Sequence, residues 1–240
     1  EILMTTTNSS SFDPDVNEII EEAFERCGSE ARTGYHFRTA RRSLNLLTIE
    51  WSNRGVNLFT IEEGSVALTE GTITYDLPND TIDLLEHVIR TGTGTNQSDL
   101  SLTRISVSTY ATIPNKNSTG RPVQIYIDRR SGATTPSGTL PPQVNLYPAP
   151  DNANTYTLVY WRLKRIDDVG NGTNTQAIPF RFYNCLIAGL AYYLSVKIPG
   201  AETRTAALKI EYDNQWTLAA EEDREKASIT IVPTSSFAAR

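Results

Sequence analysis

The sequence predicts an α+β protein: a four-helix bundle carrying an inserted antiparallel β-sandwich or barrel domain, with extended arms at both ends. Three observations predict it. Apolar residues recur at helical spacing toward both ends of the 240-residue chain. From about residue 56 to 176, Thr, Val, Ile and Tyr alternate with polar residues instead, between clusters of Gly, Pro, Asn and Asp. A hydrophobic content of 39% with 21% charged residues belongs to a chain that buries a core rather than one that stays disordered. The expected layout is a flexible arm over 1–12, helices over 13–58, the β insertion over 59–176, helices again over 177–227 and a tail over 228–240.

The arm is rich in Thr, Ser and Asn and lacks the basic and apolar regions of a secretory leader. Asp13-Pro14 is expected to open the first helix, with Asp as the cap and Pro in the first turn. Val16, Ile19, Ile20, Ala23, Phe24 and Cys27 form its apolar face, and Glu18, Glu21, Glu22 and Glu25 fill the rest. Gly28 ends it, and a short loop leads to a second helix packed against the first as an antiparallel hairpin. That second helix runs from Phe37, with Ala40, Leu44, Leu47 and Trp51 as its buried stripe and Gly55 as its C-cap. Val56 to Ile61 then look extended, and Glu63-Gly64 reads as a turn.

Seven strands are expected in the insertion: 65–69, 72–77, 82–91, 102–108, 122–127, 143–147 and 155–164. The segments 91–99 and 131–142 read as long polar loops. Helix returns at Ile178-Pro179, where Phe182, Leu186, Ile187, Leu190, Ala191 and Leu194 line one face, and Pro199-Gly200 breaks it. A last helix over 201–227 sets Leu208, Tyr212, Gln215/Trp216 and Ala219 on one face, and Pro233 keeps the closing ITIVPTSSFAAR from being helical.

The chemistry is thin. His36 and His87 have no cysteine or carboxylate at metal-ligand spacing, and the phosphate-loop, dinucleotide and nucleophile-elbow patterns are all missing. Asp167-Asp168 follows the basic run Arg162, Lys164, Arg165, which reads as charge pairing at a strand end. No catalytic residue, cofactor or metal is expected. Cys27 and Cys185 fall in apolar helical patterns as buried free thiols, which suits synthesis in a reducing cytoplasm. A net charge of −6 argues against gripping nucleic acid over the whole surface, but not against a wall that DNA passes without sticking.

Two features point to partners. Arg38, Arg41 and Arg42 form the sharpest basic cluster, open to three readings: contact with phosphates, pairing with acids of a neighbouring subunit, or a solvated face. The acidic balance favours subunit pairing over DNA. In the tail, Ile229, Ile231, Val232 and Phe237 are too apolar for a free end. Burying them returns roughly 10 kcal/mol gross at about 25 cal/mol per Å², against about 1 kcal/mol or more per residue ordered. One tail then binds weakly, and many tails on one ring bind well through avidity. The alternative is that the tail folds back on its own helices.

In order and spacing, ARRSLNLLTIEWSNRGVNLFTIEEG (40–64), LTRISVSTYATIPNKNSTGRPVQIYIDRR (102–130), LYPAP (146–150), YTLVYWRLKRIDD (156–168) and RFYNCLIAGLAYYLSVKIPG (181–200) resemble the head-to-tail adaptor (connector) proteins of tailed bacteriophages. The likeness extends to the closing helix and is greatest to the tail tubular or gatekeeper-like adaptors of short-tailed phages. It implies a structural protein of the virion neck, a ring of commonly twelve copies beneath the portal, lining the channel through which DNA is ejected. Carried onto this chain, Ile229, Ile231, Val232, Pro233, Phe237 and Arg240 would meet the portal, and the β domain the next tail or nozzle component. Other readings are a tail tube or nozzle subunit, and a carbohydrate-binding virion module suggested by the β domain and eleven tyrosines.

Overall fold

In the computed structural model, which describes residues 12–55, 58–130, 134–135 and 138–223, the chain enters its first helix through a reciprocal cap. Helix α1 (Val16–Arg26) is capped by Asp15, whose carboxylate accepts from Glu18 N–H while that of Glu18 accepts from Asp15 N–H, both at 2.9 Å. The cap expected at Asp13 is therefore corrected by two residues. Asp15-x-x-Glu18 has a carboxylate at the third helical position, whereas Asp13 would find Val16 there. Asp13 instead accepts a hydrogen bond from the Tyr183 hydroxyl at 2.5 Å.

Helix α2 (Gly34–Arg54) starts three residues before the expected Phe37, because the Thr33 hydroxyl caps it by accepting from His36 N–H. It ends at Gly55 in the left-handed region, φ +85°, as the sequence predicts. A 3-10 turn over Leu58–Thr60 replaces the expected extended run. Glu63-Gly64 is no turn but the middle of β1 (Ile61–Ala67). Gly64 pairs with Tyr160, whose ring lies 2.6 Å from where a Cβ would stand, so the glycine here makes room rather than a bend.

The remaining elements are β2 (Thr74–Asp76), β3 (Thr81–Thr91), β4 (Ser98–Ser101), β5 (Thr103–Arg104), α3 (Val107–Ala111), β6 (Gln124–Asp128), β7 (Thr134–Thr135), β8 (Gly138–Thr139), β9 (Gln143–Tyr147), β10 (Tyr156–Lys164), α4 (Tyr183–Ser195) and α5 (Glu202–Glu222). The strand expected over 102–108 splits, because Ser106 accepts from Thr109 N–H and caps the short α3. The loop expected over 91–99 is a hairpin whose return strand, β4, pairs with β3 from Thr91↔Ser98 to Val88↔Ser101.

The strands form two four-stranded sheets, ordered β1-β10-β3-β4 and β2-β9-β6-β5, plus the small β7–β8 pair. One apolar cluster joins the two larger sheets, with Leu84, Ile89, Leu158 and Tyr160 from the first against Ile125, Ile127, Val144 and Leu146 from the second. Neither sheet closes, and β5 runs parallel to β6. The expected antiparallel sandwich or barrel is thus corrected to two open sheets, one of them mixed.

The four-helix bundle is corrected as well. It presumed four helices with one apolar stripe each around a shared centre. α4 is instead buried at nine of its 13 residues, and α1, α2 and α5 pack on it from different sides. Among the described residues only α2 and α5, of 21 residues each, are long. The link from β10 to α4 joins this core through Ile166, Val169 and Ile178, and is tied to α1 and α2 by Val16 N–H to Asn174 O (3.0 Å) and Val169 N–H to Asn45 Oδ1 (2.8 Å).

Candidate interaction surface

The residues that carry chemistry are engaged in the fold. His36 stacks on Phe24 with ring centroids 5.4 Å apart. His87 is buried within β3 opposite Tyr160, and neither ring nitrogen has a hydrogen-bond partner. Burial holds its imidazole below the ordinary range. Glu62 pairs with Arg162 at 2.7 Å, Lys164 with Asp167 at 3.2 Å, and Arg165 with Asp168. Among the described residues no group of three or more His, Cys, Asp or Glu could hold a metal, and no helix is long and apolar enough to cross a membrane. Cys27 and Cys185 are buried free thiols, pushed up by burial to about 11 and about 12.

The helical surface is less settled. α4 is covered by α1 on one side and flanked by α2 and α5, which meet where Trp51 Nε1–H donates to Tyr212 Oη at 3.2 Å. Arg54 lies over the Trp216 ring at 4.8 Å and pairs with Glu50. Beyond that contact the two long helices leave a groove of about 600 Å³, with Tyr192, Tyr193 and Val196 of the α4 end in its wall and Leu46, Glu50 and Lys209 at its rims. Tyr193 donates to Glu50 Oε2 at 2.5 Å, and burial together with that carboxylate pushes its hydroxyl up to about 12.

On the outward face of α2, Arg38, Arg42, Leu46 and Ile49 recur at i, i+4, i+8 and i+11, away from the buried stripe. Leu46 is 49% and Ile49 41% exposed. The structure divides the predicted arginine cluster. Arg38 lies over Tyr35 at 5.9 Å and Arg42 is exposed, whereas Arg41 turns to the Gly170 carbonyl at 3.5 Å. Ahead of the first turns of α1 and α4, Phe12 and Phe180 are 77% and 76% exposed, their segments drawn together by the Tyr183–Asp13 bond. Sequence reasoning missed Leu46, Ile49, Phe12 and Phe180. The signal for the first two was present: they are apolar residues off a helix's apolar stripe. The predicted portal residues Ile229, Ile231, Val232, Pro233, Phe237 and Arg240 lie outside the described residues.

Compared with known protein families, residues 15–233 match the model described as SU10 adaptor protein. No curated protein matches the chain. The adaptor resemblance read from the sequence agrees with that match, which carries nothing on short-tailed phages.

Proposed function

The chain belongs to the SU10 adaptor protein family, and from that premise we propose that it is a structural virion protein of a tailed bacteriophage, a ring-forming adaptor joining the portal to the tail and lining the DNA channel. The observation that carries this reading is the length of the family match, which takes in both the helical core and the sheets. The ring has twelve copies and is assembled in the host cytoplasm. Its role is mechanical, with no turnover and no cofactor. Ile229, Ile231, Val232, Pro233, Phe237 and Arg240 dock on the portal, Arg38 and Arg42 face the neighbouring copy while Arg41 holds the Gly170 carbonyl, and the β domain of residues 59–176 meets the next tail or nozzle component.

Physical chemistry supports two parts of this reading. Weak tails become strong when a ring presents them together. A net charge of −6 lets DNA slide past without the counterion release that drives tight, salt-sensitive binding. The test is to mix the purified chain with portal rings of the same phage and weigh the product, beside a chain lacking residues 229–240. One adaptor per portal subunit, lost on tail deletion, is expected. Binding that survives the deletion would move the portal interface onto the helices, and no added mass would sink the portal-adaptor reading.

A further inference from the structure

A ring larger than a dimer joins two different faces of each copy, so every subunit must carry a surface and its complement. Resting on the ring reading above, we propose that the outward stripe of α2 (Arg38, Arg42, Leu46, Ile49) receives the outward face of α1 and Phe12 of the adjacent copy.

The charges are complementary. Glu18, Glu21 and Glu25 are exposed on α1 opposite its buried stripe of Val16, Ile19, Ile20 and Ala23. Glu21 and Glu25 make no ion pair among the described residues, and Arg42 has none either. Among the described residues Arg38 meets only the Tyr35 ring. Each helix therefore sets like charges at i and i+4, an arrangement mildly repulsive by itself and relieved by the opposite charge of the other stripe.

The heights match too. Phe24 stacked on His36 fixes a common level for α1 and α2, and both helices lead from it toward the link over residues 169–174, which bonds to Val16 and Asn17 of α1 and to Arg41 and Asn45 of α2. At about 1.5 Å rise per residue, Glu21 and Glu18 lie roughly 4.5 and 9 Å along α1 from that level, and Arg38 and Arg42 roughly 3 and 9 Å along α2 in the same direction. Farther the same way come Leu46 and Ile49 on α2, and Phe12 ahead of the first turn of α1. A rotation about an axis along the helices moves groups around the ring without changing their height. Acids then stay level with arginines from copy to copy, and Phe12 with the apolar end of the stripe.

The full chain is tested by native mass spectrometry, alone and on portal rings, with R38E/R42E and E21K/E25K variants and their equimolar mixture. Far-UV circular dichroism and a thermal melt show that each variant is folded. The expected result is a ring from the wild type, none from either variant alone, and recovery in the mixture, where only alternating copies present opposite charges at every junction. Rings from both variants, or loss without rescue in the mixture, would overturn this interface while leaving the ring reading intact. No ring from the wild type under either condition would remove the ring reading and the interface together.

Discussion

Gly189, near the middle of α4, is where the packing of the helices is most sharply testable. A Cβ built there would stand 2.8 Å from Tyr212 Cε2 and 2.9 and 3.0 Å from the two Leu47 methyls. Ordinary carbon contacts are about 3.5–4.0 Å, so Gly189→Ala must displace one residue from each flanking long helix. Neither yields easily. Leu47 is fully buried, and the Tyr212 ring is fixed by Trp51 Nε1–H. On an exposed helix the same change would stabilise by about 1 kcal/mol through helix propensity. Overpacking a well-filled core costs about 1–3 kcal/mol. The difference predicts net destabilisation of up to about 2 kcal/mol, and Gly189→Val, with two more carbons and a branched Cβ, falls further. Urea denaturation followed by circular dichroism ranks the three proteins, and the melting temperature should drop by about 2–4 °C per kcal/mol lost. A Gly189→Ala protein more stable than wild type by the free-helix increment would refute the close approach of α4 to α2 and α5.

Two further perturbations address the sheets. His87 has its imidazole pKa held low by burial, the Arg104 charge adding to this while Glu86 and Asp83 oppose it. Its unfolded pKa is about 6.5, so the unfolded state binds the proton first. Stability is whole above that value and is lost as pH falls below it toward the lower folded pKa. Melting temperatures across that range should decline less for His87→Leu, and an equal decline would clear the histidine of the effect. Arg162, its side chain 7% exposed, donates to Asp80 (2.6 Å), Thr81 (2.9 Å) and Glu62 (2.7 Å), joining β10 to β1 and to the start of β3. Burial pushes the Asp80 carboxyl up, and the Arg162 hydrogen bond and charge outweigh it to hold the group low. Arg162→Met should raise the Asp80 pKa, followed by NMR, and destabilise by about 1–3 kcal/mol. That is less than a fully buried broken pair, because both carboxylates retain solvent access. An unchanged unfolding midpoint would mean that the pairs contribute nothing net.

What could be read from residues was local. The α2 stripe of Ala40, Leu44, Leu47 and Trp51 and the Gly55 cap emerge as expected, since a 3.6-residue period and a left-handed glycine are properties of a few neighbours. So does the alternation of β9, where Val144 and Leu146 face the core. The errors share one cause. Ser106 turned a strand into β5 and α3, and Ser98–Ser101 became a strand because β3 offered it a ladder, although its side chains are exposed and three of the four are polar. Gly64 signals a turn to any local reading and became a strand residue because Tyr160, far along the chain, needed the space.

By itself, the sequence determined that helices flank a β middle and that the chain resembles phage adaptors, because each rests on residue type and spacing. Only the tertiary structure decided how those parts meet. It put α4 at the centre of the helices instead of in a ring of four, left both sheets open, and tied Arg41 to the Gly170 carbonyl while Arg38, Arg42, Leu46 and Ile49 stayed exposed. The reason is that burial is a property of pairs of faces. A sequence names the apolar stripe of a helix, but which stripes find partners within the chain, and which are left for another copy, depends on helix and sheet directions that no short window contains.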